Sequence, residues 1–237
     1  MSRYYFRQFL AGRDFAKDDS IARGMRNFAY ALGDRDEGVA MLIDPAYAPV
    51  QLAELVEEDG LRVIGVIATH YHADHVGGSL GGRIEVAGIV ELLNWRDIPV
   101  HVQRREREWI ERGTGVGAAN LVSHDDGDEL KVGEVAVTLV HTPGHTPGSQ
   151  CLLVEGDLVS GDTLFIDGCG RTDLPGGDAE EMYDTLTRRL AQVANETVLW
   201  PGHHYAPEPS APLGEIRENN FVLAPSTPGQ WLSMFAT

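Results

Sequence analysis

The segment Thr69-His70-Tyr71-His72-Ala73-Asp74-His75 places four side chains able to bind a metal within six residues. It follows directly on Arg62–Thr69, which is almost continuously apolar and reads as a strand buried on both faces. In an extended segment, side chains two apart point the same way. His70 and His72 can therefore reach one cation while the chain is still extended. Asp74 and His75 come as the chain turns and can face a second cation beside the first. Neutral imidazole and carboxylate are ligands that zinc, iron and manganese accept when no thiolate is offered. Solvated loop histidines would explain one His-x-His, but four such residues crowded at the end of a core strand need a stronger reason.

Three further places repeat the pattern of a strand end followed by a ligand type. In His141-Thr-Pro-Gly-His145-Thr-Pro-Gly148, each Pro-Gly pair fits the centre of a type II turn, so two turns in succession are expected to hold His145 on a rigid corner. His141 itself reads as a strand-end residue. In Ser160-Gly-Asp162-Thr-Leu-Phe165, Asp162 ends an apolar strand, and beside a histidine cluster its two oxygens suit a bridge between cations. In Trp200-Pro-Gly-His203-His204-Tyr205, either histidine could ligate, with the other lying behind it.

The elements that must position these residues are legible in outline. Met25–Leu32 and Val39–Ile43 flank a turn-like stretch and read as a hairpin. Val50–Asp59 reads as a helix closed by Gly60. Ile89–Trp95 and Gln103–Arg112 look helical, with Pro99–Val102 a short strand between them. Glu129–Val132, Glu134–His141, Gln150–Val154 and Leu158–Gly161 read as strands, and Thr197–Trp200 as one more. Asp178–Ala191 is the clearest helix, with Asp178 as N-cap and Glu181 completing a capping box. A polar helix near Gly214–Asn220 and an apolar one near Gln230–Phe235 form the tail. Strands mixed with outer helices suggest stacked α/β layers. The chain is expected to form a single domain over 1–237, with a longer insert near 89–120 and a short helical C-terminal tail.

Composition narrows the classes of function. The chain has 237 residues and a net charge of −17, and its only lysines are Lys17 and Lys131. A nucleic-acid partner needs a basic stripe, and none is present. The cluster Arg104–Arg107, interleaved with Glu106, Glu108 and Glu111, reads as a solvated helix face. No apolar run approaches the roughly 18 residues of a membrane helix, and Met1 to Asp19 has no apolar signal core. A cytoplasmic location without a membrane partner is expected; a homo-oligomer stays open. The two cysteines, Cys151 and Cys169, supply neither a disulfide framework nor a thiolate zinc site.

With those residues laid out, Thr69–His75 resembles the His-x-His-x-Asp-His signature of the metallo-β-lactamase fold superfamily, and His145, Asp162 and His203 follow in that superfamily's order. The resemblance spans about Met25 to Tyr205. It implies an α/β fold, a four-layer αββα sandwich with the metal site at one edge between the two sheets. It further implies His70, His72 and His145 as ligands of a first metal and Asp74, His75 and His203 as ligands of a second. Asp162 would bridge them. His203 is preferred over His204 because Gly202-His203-His204-Tyr205 resembles the Gly-His-Glu-Tyr segment of glyoxalase II, with His204 standing where that enzyme has Glu.

Two families within the superfamily are close. Gly161–Phe165 and Pro201–Tyr205 resemble glyoxalase II, which implies hydrolysis of a small thioester by a metal-bound hydroxide, with Asp74 both ligand and orienter of the attacking oxygen. Two divalent ions are then expected, with zinc first and iron or manganese as alternatives. The segment Gly168-Cys169-Gly170-Arg171-Thr172-Asp173 resembles the persulfide dioxygenases, as does the hairpin from Gly33-Asp34-Arg35 to Ile43-Asp44-Pro45; glyoxalase II shares the Gly-Cys-Gly part, so Arg171–Asp173 are the discriminating residues. That family implies a single Fe(II) on His70, His145 and Asp162, acting on a thiol persulfide and O₂. Thioester hydrolysis is taken first because every ligand position of a two-metal site is filled. Either way the partner is a small thiol-derived molecule, and Arg171 and Tyr205 are expected to touch it. Arg171 could equally be tied to Asp173. Cys169 reads as a small residue in a tight turn. The basic residues that anchor glutathione in the C-terminal region of glyoxalase II are absent here, where only Arg217 is basic.

Overall fold

The computed structural model describes residues 2–225 and 227–235. Strands β1 (Tyr4–Leu10), β2 (Phe28–Asp34), β3 (Val39–Ile43) and β4 (Arg62–Ile67) lie side by side. A small hairpin, β5 (Gly78–Leu80) and β6 (Ile84–Val86), leaves that sheet, and β7 (Val100–Gln103) and β8 (Leu121–His124) complete it in the order β1-β2-β3-β4-β7-β8. The second sheet takes β9 (Glu129–Val132), β10 (Val135–His141), β11 (Gln150–Val154), β12 (Asp157–Gly161), β13 (Val198–Pro201) and β14 (Ala211–Pro212) in the reverse of chain order. β4 is parallel to both neighbours, and β13 is parallel to β12.

Period-two alternation makes the layers. In β2, Phe28, Tyr30 and Leu32 join the core between the sheets, while Ala29 and Ala31 join a second core on the opposite face. β3 repeats this, with Met41 and Ile43 inward and Ala40 and Leu42 outward. The outer face of the first sheet is covered by α1 (Ser20–Met25), α2 (Pro49–Glu58), α4 (Ile89–Trp95) and α5 (Arg107–Thr114), with α3 (Ala73–Val76) a single turn at the sheet's end. Outside the second sheet, Cys151, Leu158 and Leu199 pack against α6 (Ala179–Asp184), α7 (Leu213–Asn219) and α8 (Pro228–Phe235). Helix, sheet, sheet, helix is the four-layer α/β sandwich expected from the sequence.

Local chemistry sets the ends. The Asp19 carboxylate accepts the Ile21 and Ala22 amides at the start of α1. Pro49 opens α2, and Gly60, at φ +86, closes it by donating to Glu57 O. Residues 89–120, read above as an insert, supply α4, α5 and strand β7 of the first sheet.

Several details depart from expectation. The N-terminal stretch is a strand, β1, paired along its length with β2. The long helix from Asp178 is α-helical only to Asp184, widens to a π turn over Thr185–Arg189 and tightens at Leu190–Gln192. The Thr185 hydroxyl donates to Pro143 O (2.7 Å) and draws that turn onto the loop carrying His145. Asp178 does cap the helix, yet its own amide donates to Gly144 O (2.8 Å), and Glu181 pairs with Arg105, so no capping box forms. Neither Pro-Gly pair makes a type II turn. Gly144 sits at φ +137, far from the roughly +80° that turn needs, and Gly148 is not in the left-handed region at all.

Candidate metal centre

Four strand ends converge at one edge of the sandwich. β4 delivers His70 and His72, then Asp74 and His75 on α3; the loop after β10 delivers His145; β12 delivers Asp162; β13 delivers His203. The sheets are tied together here, because Gln150 donates through its amide nitrogen to Thr69 O (2.9 Å) and through Nε2 to Ala68 O (2.8 Å).

Among the described residues, three donor clusters result, two of them made of predicted ligands and the third, Asp44, His70 and His75, overlapping both. One ligand atom from each of His70, His72 and His145 lies within 4.8 Å of the others, and the same holds for Asp74, His75 and His203. In the first, His145 Nε2 is 2.9 Å from His72 Nδ1. In the second, His75 Nε2 and His203 Nε2 are 3.3 Å apart, and Asp74 Oδ2 is 3.5 Å from His203 Nε2. Asp162 stands between them: Oδ2 is 3.7 Å from His145 Nε2 and 3.3 Å from His203 Nε2, and Oδ1 is 3.5 Å from His75 Nε2. Gly202 must lack a side chain for this approach, since a Cβ there would sit 2.3 Å from Asp162 Oδ1.

The far side of three of the rings is spoken for, which fixes the nitrogen that each turns to the pocket. His145 Nδ1 donates to Arg171 O (2.6 Å) and His203 Nδ1 to Met25 O (2.9 Å). His75 Nδ1 donates to Asp44 Oδ2 (2.9 Å). His70 Nε2 and Asp162 Oδ1 are buried without a hydrogen-bond partner. A buried donor set with its remaining lone pairs unpartnered and turned inward is what a cation requires, so the residues fit divalent metal.

Charge agrees with geometry. Burial, aided by neighbouring imidazoles, holds His70 well below its ordinary value and lowers His72 to about 4. Burial lowers His145 too, against the pull of Asp162. All three are neutral at pH 7, the form that binds metal. Burial would lower His75 as well, but Asp162, Asp74 and Asp44 together drive it up to about 10. The carboxylates thus favour positive charge in the pocket, and Asp162 and Asp74 raise His203 as well, against its burial.

Three residues that sequence reading gave no role hold this centre in place. Asp44 accepts the Thr69 amide (2.8 Å), the Thr69 hydroxyl (2.6 Å) and His75, from a backbone at φ +52. Asn27 Nδ2 donates to Asp74 Oδ2 (3.0 Å), and Asn27 Oδ1 accepts the Tyr47 hydroxyl (3.0 Å). Glu106, expected on a solvated face, is 1% exposed. Its Oε1 accepts the Tyr71 amide and the Thr146 hydroxyl (both 2.8 Å), and its Oε2 accepts the Gly148 amide (2.7 Å). It therefore joins the His70–His72 loop to the His145 loop. Burial raises its carboxyl to about 7 against those three hydrogen bonds. Asp44 lies in the quoted Ile43-Asp44-Pro45 motif; for Asn27 and Glu106 only burial could have flagged a role.

The other singled-out residues are also placed. His141 Nε2 donates to Pro147 O (2.9 Å), behind the pocket. His204 turns away, with Nδ1 3.2 Å from Arg26 Nη2. Tyr205 stacks on His203, the ring centroids 4.6 Å apart. Arg171 makes a bidentate pair with Asp173 (2.9 and 2.7 Å), so its guanidinium is engaged before any substrate arrives. A cavity of about 880 Å³ opens from the donors toward Leu80, Leu174, Tyr205 and Phe221.

A family model described as the metallo-beta-lactamase superfamily matches residues 23–203. The chain belongs to that superfamily. It is accordingly an enzyme of the metallo-beta-lactamase fold, one that binds divalent metal. Among curated relatives, bovine persulfide dioxygenase ETHE1 is 32% identical over 181 residues, covering 75% of this chain and 64% of that protein, so the chain spans less than two thirds of the relative's length. The probable polyketide biosynthesis zinc-dependent hydrolase PksB of Bacillus subtilis is 27% identical over 201 residues, 85% of this chain and 83% of that protein. The crystal structure of ETHE1 from Myxococcus xanthus superposes with a TM-score of 0.78 at 29% identity, covering 98% of this chain and 89% of that one. Among the described residues, no helix is long and apolar enough to cross a membrane.

Proposed function

We propose that this metallo-beta-lactamase-fold enzyme oxidises the outer sulfur of a small thiol persulfide with O₂ at a single iron. The observation that carries the reading is the place of Gly168–Asp173, the segment resembling the persulfide dioxygenases. Gly170 packs so closely that a Cβ would lie 2.8 Å from the His145 ring and 2.0 Å from Asp162 O, and the Arg171 carbonyl orients His145. The segment is thus part of the metal pocket itself. Likeness to ETHE1 in sequence and structure supports the same reading, and thioester hydrolysis, placed first above, moves to second.

His70, His145 and Asp162 would hold the iron, which when bound supplies the one-electron chemistry that lets O₂ react with sulfur. The chain's own part is positioning. Burial keeps His70 and His145 neutral, Asp74 is steered by Asn27, and Tyr205 and Phe165, with ring centroids 5.4 Å apart, wall one side of the approach. The overall change is R–S–SH + O₂ + H₂O → R–SH + SO₃²⁻ + 2 H⁺, in which the outer sulfur is oxidised and O₂ is reduced.

Hydrolysis of a thioester stays as the second reading because the predicted ligands form two clusters with Asp162 between them, the arrangement that a pair of cations would need. One experiment separates the two. Protein reconstituted with iron or with zinc is given a persulfide in an oxygen electrode and, separately, an S-acyl thiol. Stoichiometric O₂ uptake and sulfite from the iron form alone supports oxidation. Thioester cleavage by the zinc form, with no O₂ uptake by the iron form, overturns it.

A further inference from the structure

Beyond the metal donors, the cavity is poor in charge. Among the described residues, its carboxylate and guanidinium side chains apart from Asp74 and Asp162 are Asp167 and Arg171. Arg171 lines the cavity but is already paired with Asp173 and is 68% exposed. Neither of the chain's two lysines reaches it. Among the described residues, the outer chamber therefore has no guanidinium or ammonium without an acidic partner, inside a protein of net charge −17.

What the chamber does offer is apolar. Leu80, Leu174 and Pro175 line it, and so do Tyr205 and Phe221, at 53% and 52% exposure two of the few large hydrophobic side chains left open to solvent. Exposed aromatic rings gathered at the mouth of one cavity, rather than scattered, mark a surface that an apolar ligand covers. Its volume, about 880 Å³, suits a whole small molecule and not just a sulfur atom.

From this pairing of open aromatics with the lack of an unpaired cation we infer that the thiol carrier of the substrate is uncharged and apolar, with an aromatic or aliphatic body, and is not a polyanionic carrier such as glutathione. The inference rests on the proposed sulfur chemistry only for the reacting end; the body of the molecule is read from the chamber. A carboxylate on that body would be desolvated with no unpaired guanidinium or ammonium to receive it, and would have to compete with Asp173 for Arg171 while facing Asp167.

The test separates body from chemistry. Unreactive thioethers, benzyl methyl sulfide and S-methylglutathione, are titrated calorimetrically into metal-loaded protein. The inference expects the benzyl compound to bind at least about tenfold more tightly, roughly 1.4 kcal/mol. Phe221→Lys, at an exposed position that tolerates the change, should narrow that ratio by weakening the first and strengthening the second. Equal or tighter binding of S-methylglutathione to the wild-type chain overturns the inference. The matching persulfides are then assayed for O₂ uptake. If none reacts while the binding order holds, the oxidation reading falls and the carrier inference stands; if only the glutathione persulfide reacts, the carrier inference falls and oxidation stands.

Discussion

His75 gives its Nδ1 proton to Asp44 Oδ2, 2.9 Å away, and the same oxygen accepts the Thr69 hydroxyl at 2.6 Å. That contact decides which nitrogen of His75 faces Asp74, Asp162 and His203. Asn at position 44 keeps the size and tolerates φ +52. Its NH₂ would face Nδ1, however, and drive the proton to Nε2, the nitrogen that must be free. Asp44→Asn is expected to lower metal affinity about 10–100-fold with the fold retained, measured by competition against a chelator beside a circular-dichroism melt.

His145→Ala should lose metal and activity together. The His145 ring is the member of its cluster supplied by the second sheet, and its Nε2 is 2.9 Å from His72. Elemental analysis and turnover of the purified variant check this; normal turnover would remove His145 from the centre.

Glu106 gives the protein a predictable pH response. Burial raises its carboxyl from 4.5 to about 7. Below pH 4.5 folded and unfolded chains both hold the proton; between 4.5 and 7 the unfolded chain releases it first. Stability therefore falls as pH rises through that window, by up to about 3 kcal/mol. Glu106→Gln removes this contribution, so the stability of wild type relative to variant, from denaturant melts of metal-free protein, should decline from pH 4.5 to 7. A flat difference would refute the assignment.

Gly170→Ala tests the wall beside the donors. Its Cβ would lie 2.0 Å from a backbone carbonyl, Asp162 O, which cannot simply rotate away. The cost expected is about 1–3 kcal/mol from overpacking, together with reduced metal content as Asp162 and His145 are displaced. An unchanged melt and full metal loading would show that the wall gives way.

The sequence carried the donors because each lies just past a strand end and belongs to a residue type that is costly to bury alone. β4 was legible because Val63, Val66 and Ile67 make both of its faces apolar. β1 was not: Arg7 and Gln8 interrupt it, and only its pairing with β2 places Phe9 in one core and Phe6 against the other. Glu106 misled because its neighbours Arg104 and Arg105 are exposed, while its own partners lie 35 to 42 residues away. The turns around His145 went wrong for a related reason. Gly148 is there to let the Glu106 backbone within 2.4 Å of where a Cβ would stand, a demand of packing and not of turn geometry.

The donors divide between the halves of the sandwich, with His70, His72, Asp74 and His75 on the first sheet's side and His145, Asp162 and His203 on the second's. An ion gripped from both sides would act as a rivet through the seam. Prying the halves apart would mean ejecting it, so demetallation and global opening become one event, and resistance to proteases would climb with the free concentration of the ion.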